Sequence, residues 1–185
     1  MYQTNFLTVA VRKQLGVADP SNEKMKEVAA AGSHFRGEVI NELIHLEQKI
    51  EICLARYFCR DTDRQQEFLW SVLRQRPMTM NHKATLLLFI LKDSLSVDIS
   101  VVKGQLEELM TIRNRLAHGD VIYDVATDTL EASYRERKEP CYLKLNDEMK
   151  RQIDGKAKDV DIFLNNLMKR AEFAEPGTGS NGYPR

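Results

Sequence analysis

Over most of its length the chain places apolar residues at helical spacing, and in one stretch it places them at every second position. From about Ser33 to Cys59, the residues Val39, Leu43, Leu46, Ile50, Cys53 and Tyr57 step by 4, 3, 4, 3 and 4. That spacing predicts a long helix with a seam packed on another helix. Ile40, Ile44, Leu54 and Phe58 widen the seam into a core-facing stripe. Asp61-Thr62-Asp63 opens a shorter helix holding Phe68, Leu69, Trp70, Val72 and Leu73, and Pro77 marks the loop that ends it. A further helix runs from Asn81 to about Leu95, and its nearly unbroken apolar run, Leu86 to Leu91, predicts a central position. Asp98 or Ser100 caps the next helix, where Val102, Leu106, Leu109, position 113 and Leu116 step by 4, 3, 4 and 3. Gly119 stands where a glycine ends a helix.

After Gly119 the period changes to two. Val121, Tyr123 and Val125 alternate, as do Leu130, Ala132 and Tyr134, with a turn at Thr127-Asp128; Pro140 separates a third run, Cys141 to Leu145. This predicts a small antiparallel β meander at about 120–145. A last helix then runs from Asn146 or Asp147 to Phe173, with Ile153, Val160, Phe163, Leu164 and Leu167 inside. The fold expected is mainly α: a helical bundle of about five helices with the meander inserted before the last one. Residues 1–32 form an N-terminal arm or helix, in which Phe6, Leu7, Val9, Val11 and Leu15 mark a short helix or arm. There, Asp19-Pro20-Ser21-Asn22 is a turn and helix start, and Glu23 to Ala31 favours helix. Residues 33–173 form the main domain, and the Gly-, Ser- and Pro-rich end, 174–185, is expected to be disordered.

With 185 residues, 43% apolar and 29% charged, the chain suits one domain with a sizeable core. Lys plus Arg equals Asp plus Glu at 27 each, which argues against a polybasic protein that holds nucleic acid by bulk charge but leaves room for a local basic groove. Cys53, Cys59 and Cys141 form neither a CxxC pair nor an even-numbered framework, so a reduced, cytoplasmic setting is expected. No stretch approaches the roughly 20 apolar residues that span a bilayer, and no signal peptide is read. His34, His45 and His82 lack metal-ligand spacing, and there is no P-loop, GxGxxG or GxSxG; neither metal nor cofactor is expected.

The segment Ile112-Arg113-Asn114-Arg115-Leu116-Ala117-His118-Gly119 holds the candidate chemistry. Arg113 falls on the apolar stripe of its helix, where an unpaired guanidinium is costly. It therefore needs a carboxylate, such as Glu42 or Glu47, or a pocket open to an anion. His118 sits at the helix C-terminus, where the macrodipole attracts a proton and Arg113 and Arg115 oppose it. Asn114 is four residues before His118, so the two share a face. A guanidinium to hold a phosphate and an imidazole to move a proton together suit cleavage of RNA by its own 2′-hydroxyl.

These residues resemble the HEPN superfamily, whose members carry Arg-x(4 to 6)-His near the end of a helix in an all-α bundle. The match lies on Arg113, Asn114 and His118, with Ala117 and Gly119 beside the histidine. Many members are metal-independent endoribonucleases, often toxins or anti-phage effectors, that bring two Arg/His pairs into one cleft by dimerising. The resemblance implies that Arg113 binds the scissile phosphate, His118 is the acid or base, and Asn114 orients the site. It also implies a 2′,3′-cyclic phosphate product, a homodimer as the working form, and a cognate antitoxin or regulatory protein as partner. The alternative is a non-catalytic HEPN-like module that binds protein or nucleic acid.

A second match to the spacing, Arg76 and His82, is interrupted by Pro77 and precedes a helix instead of ending one. Glu38, Asn41, Glu42 and His45 read as a solvated helix face. Arg56, Arg60, Arg64, Arg74, Arg76 and Lys83 form either a phosphate-binding strip or, more simply, a charged surface balanced by Asp61, Asp63 and Glu67. Arg135, Arg137 and Lys138, at the tip of the meander, are expected to touch RNA or nothing. Tyr123, Tyr134 and Tyr142 are expected to pack the sheet, base stacking being the other use of such rings.

Overall fold

Ser21 starts the longest helix, its hydroxyl accepting from the backbone N–H of Lys24 at 3.1 Å. The computed structural model describes residues 9–12, 19–136 and 139–173. The expectations placed on Phe6, Leu7, Leu15, Arg137, Lys138 and the tail from 174 lie outside the described residues. The order is β1 (Val9–Arg12), α1 (Asn22–Phe58), α2 (Thr62–Phe68), α3 (Met80–Phe89), α4 (Ser100–His118), β2 (Asp120–Asp124), β3 (Thr129–Glu136), β4 (Glu139–Lys144) and α5 (Asp147–Leu167). Among the described residues this is a mainly α protein with five α-helices and a small four-stranded sheet. α2 and α3 each run on into a π-helical turn, Leu69–Leu73 and Ile90–Ser94.

The chain forms two compact units: residues 1–42 with 111–155, and residues 43–110 with 156–185. α1 runs unbroken for 37 residues from Asn22 and so passes through residue 33, where the long helix was expected to begin. Gly32 weakens a helix by only about 1 kcal/mol relative to alanine, and no proline stops it there.

The first unit contains the sheet, in the order β1-β2-β3-β4. β2, β3 and β4 form the predicted antiparallel meander, with Val121 opposite Ala132 and Ala132 opposite Leu143. The sheet is larger than predicted. β1, from the segment expected to be an arm or short helix, pairs parallel to β2 with Val9 opposite Val121 and Arg12 opposite Asp124. A parallel neighbour needs a long crossover, so its pairing is invisible to local pattern. Arg12 binds Asp124 at 2.6 Å and the buried Glu131 at 2.7 Å, and its guanidinium lies 4.5 Å from the Tyr142 ring centre. Asp128 closes the β2–β3 turn at φ 50°, and its carboxylate accepts from the Tyr123 hydroxyl at 2.7 Å. Pro140 lies on the edge strand, where a missing N–H is tolerated.

The second unit is helical. The predicted seam of α1 is buried at Leu43, Leu46, Ile50 and Cys53; of the residues expected to widen it, Leu54 is buried, whereas Ile44 and Phe58 are exposed. α3 is less central than its run of leucines predicts: Ala84, Leu87, Ile90 and Leu91 are buried, but Phe89 is 59% exposed. Thr79 caps this helix, accepting from the His82 N–H, and His82 binds the Pro77 carbonyl with its ring. Val160, Leu164 and Leu167 of α5 are buried, and Phe163 is half-buried. Lys83 is buried and bonds Glu47 at 2.6 Å and Glu51 at 2.5 Å, while Arg74 bonds Glu51 at 3.0 Å and stacks on Trp70. These pairings break up the basic strip: two of its cations neutralise buried or half-buried carboxylates.

Candidate functional site

The last two turns of α4 build the site in the first unit. Residues spaced 3, 4 and 7 apart share a helix face. Accordingly Thr111, Asn114, Arg115 and His118 line one side of an open cleft of about 380 Å³, and Gly119, Tyr134 and Arg135 complete it. His118 is exposed at the mouth of the helix end. Arg115 lies with its guanidinium carbon 4.4 Å from the centre of the Tyr134 ring, a cation–π contact that joins α4 to β3.

Gly119 makes that junction possible. A Cβ on this residue would stand 2.7 Å from the backbone oxygen of Ser133, and closer still to the carbonyl of Arg115. The glycine is therefore required by close approach of two backbones; its φ is outside the left-handed range expected of a C′ glycine. Arg36 of α1 donates to the Ala117 carbonyl at 2.6 Å, placing a cation on the negative end of α4.

The structure brings Asn114 and His118 together, as their spacing of four predicts. It does not bring Arg113 to the same wall. Five residues of helix separate Arg113 from His118 by roughly 140° around the axis. Arg113 is half-buried, and its Nε is buried without a hydrogen-bond partner among the described residues. Of the two carboxylates expected to meet it, Glu47 is held by Lys83. Glu42 lies 3.7 Å from Lys150, with its Oε2 also lacking a hydrogen bond. Burial, with Asp154 nearby, pushes the Glu42 carboxyl above its ordinary range, and Lys150 opposes that shift.

Arg115, Tyr134 and Arg135 are cleft residues that the local motif does not reveal. Arg115 has a sequence signal, the shared stripe with Thr111 and His118. Tyr134 and Arg135 stand out in the sequence as a strand aromatic and a cation at the meander's tip, but only strand register and packing place them beside His118. Of the other tyrosines, Tyr123 is buried beside Lys24 and Asp128, and Tyr142 lies under Arg12. Among the described residues, no group of three His, Cys, Asp or Glu is placed to hold a metal, and no helix is long and apolar enough to cross a membrane.

Two arginines, an asparagine and a histidine thus border a space open to solvent. Guanidiniums pair with phosphate oxygens and an imidazole can give or take a proton, which is the chemistry such a set is able to supply. Comparison of the chain with protein-family models, with curated proteins and with solved structures finds no match.

Proposed function

We propose that the protein is a HEPN-like, metal-independent RNA endonuclease, working as a homodimer in a shared cleft. The observation that carries this reading is the exposed His118 in an open cleft beside Asn114, Arg115 and Arg135. Arg113 lies off that wall with its Nε buried, and its place in the step below comes from the resemblance alone. In the step proposed, the 2′-oxygen attacks the adjacent phosphorus and the bond to the 5′-oxygen breaks. One imidazole takes the 2′ proton and another protonates the leaving oxygen, with Arg113 stabilising the negative charge on the non-bridging phosphate oxygens and Asn114 orienting His118. The product is a 2′,3′-cyclic phosphate. A toxin or defence role, with an antitoxin or regulatory partner, follows from the resemblance and from the reaction it implies.

The test is incubation of the full chain with single-stranded RNA in the presence of a chelator. Cleavage with cyclic-phosphate ends is expected. His118→Ala is expected to reduce it by about 10²–10⁴-fold, with Arg113→Ala also inactive and both variants folded. Absence of cutting by the wild type, or undiminished cutting by both variants, rejects the nuclease. A second reading, a non-catalytic HEPN-like binding module, is favoured by the separation of Arg113 from the wall that His118 lines. It predicts RNA binding or protein capture without cleavage.

A further inference from the structure

The cleft contains two arginines that the Arg-x4-His pattern does not include, and they come from different elements: Arg115 from α4 and Arg135 from β3. We propose that Arg115 and Arg135 form a phosphate subsite for single-stranded RNA beside His118, and that Tyr134 is a positioning residue that holds Arg115 toward it. The proposal rests on the nuclease reading for its choice of polyanion. Its structural basis is independent of Arg113.

Three observations support it. Arg115 shares the helix stripe of Asn114 and His118, so its side chain leaves α4 on the cleft side. Its guanidinium carbon stands over the Tyr134 ring, 4.4 Å from the centre, a contact that restricts the rotamer freedom an arginine otherwise loses on binding. The close backbone approach of Gly119 to Ser133 sets β3 against the helix end, and the next two residues, Tyr134 and Arg135, both border the cleft although the strand alternates their side chains between its faces. The β insertion on this view supplies half of the RNA contact surface. Guanidiniums suit this task because their planar donors meet phosphate oxygens in pairs.

Anisotropy of a fluorescent single-stranded oligoribonucleotide tests the proposal, with full-length His118→Ala protein as the uncut parent. Arg115→Gln and Arg135→Gln in that background are expected to weaken binding several-fold. Each is expected to flatten the plot of log affinity against log salt by about 0.7, the signature of one lost phosphate contact on a single strand. Tyr134→Phe keeps the parent's affinity, while Tyr134→Ala falls to the level of Arg115→Gln. Parental affinity and slope in both Gln variants overturn the subsite. Because Arg135 is exposed, its variant stays informative even where changes at Arg115 disturb folding. Loss of binding in the Gln variants beside a wild type that never cuts keeps the subsite and rejects the nuclease. A wild type that cuts, with Gln variants unchanged in binding, rejects the subsite alone. No binding by the parent rejects the subsite, and the nuclease is then judged by cutting of the wild type alone.

Discussion

Lys83 shows how one residue's role changes with its surroundings. Its ammonium is 3% exposed at the residue level and bridges Glu47 and Glu51, with Glu51 itself 4% exposed. Removing one partner of a buried pair leaves the other charge without compensation. Lys83→Met is therefore expected to destabilise the protein by about 3 kcal/mol in urea denaturation. The double variant Lys83→Met/Glu51→Leu should recover much of that loss, and strict additivity of the two changes would mean that the pair is not coupled. Asp128 carries a pH-dependent contribution. The Tyr123 hydroxyl and Lys24 hold its carboxyl below the usual carboxylate range, and Arg12 does the same for Asp124. A depressed folded-state value stabilises above the unfolded value, roughly pH 4, and that contribution is lost as pH falls through the folded values. The sheet is thus expected to loosen below about pH 4. Tyr123→Phe should move the Asp128 titration upward when followed by NMR of its carboxyl; an unmoved curve means the bond does not hold Asp128.

At the scale of elements, the junction between the end of α4 and β3 governs the cleft. Two backbone oxygens occupy the space where a Cβ on Gly119 would sit. Gly119→Ala is therefore expected to cost about 1–3 kcal/mol or more, as other overpacking changes do, and to open the wall carrying Tyr134 and Arg135. Thermal denaturation measures the first effect and oligonucleotide binding the second. A variant as stable as wild type would mean that the strand moves aside freely. The same scale explains the two π-helical turns. Each extends a regular helix by one widened turn, at Leu69–Leu73 and Ile90–Ser94, and places Leu73, Ile90 and Leu91 inside while Trp70 and Phe89 stay exposed.

For the molecule as a whole, cations and anions balance at 27 each, so bulk charge does not draw RNA to it. On the proposed reading, attraction comes from Arg115 and Arg135 in the cleft, acting within a Debye length of about 10 Å at 0.1 M salt. The proposed nuclease requires two copies of the helix end. Specific activity is accordingly expected to fall as the protein is diluted through its dimer–monomer transition, followed in parallel by sedimentation. Constant specific activity through that transition would rule out a composite site.

Local geometry made much of this legible without coordinates. The apolar periods of α1, α4 and α5, the cap residues Asp61 and Asn146, the alternation in β2 and β3, and the shared stripe of Asn114 and His118 all depend on residues a few positions apart. So does the angular separation of Arg113 from His118, which a motif written as a string conceals. What the tertiary structure alone decided depends on distant partners. The parallel pairing of β1 with β2, the burial of Lys83 between two glutamates, the exposure of Phe89, and the arrival of Tyr134 and Arg135 beside His118 belong to this group. A period states which face of an element is apolar, because backbone geometry sets it. Which other element covers that face, and which strand residue then stands opposite a given helix end, is fixed by packing between segments as far apart in the chain as Arg12 and Tyr142 are.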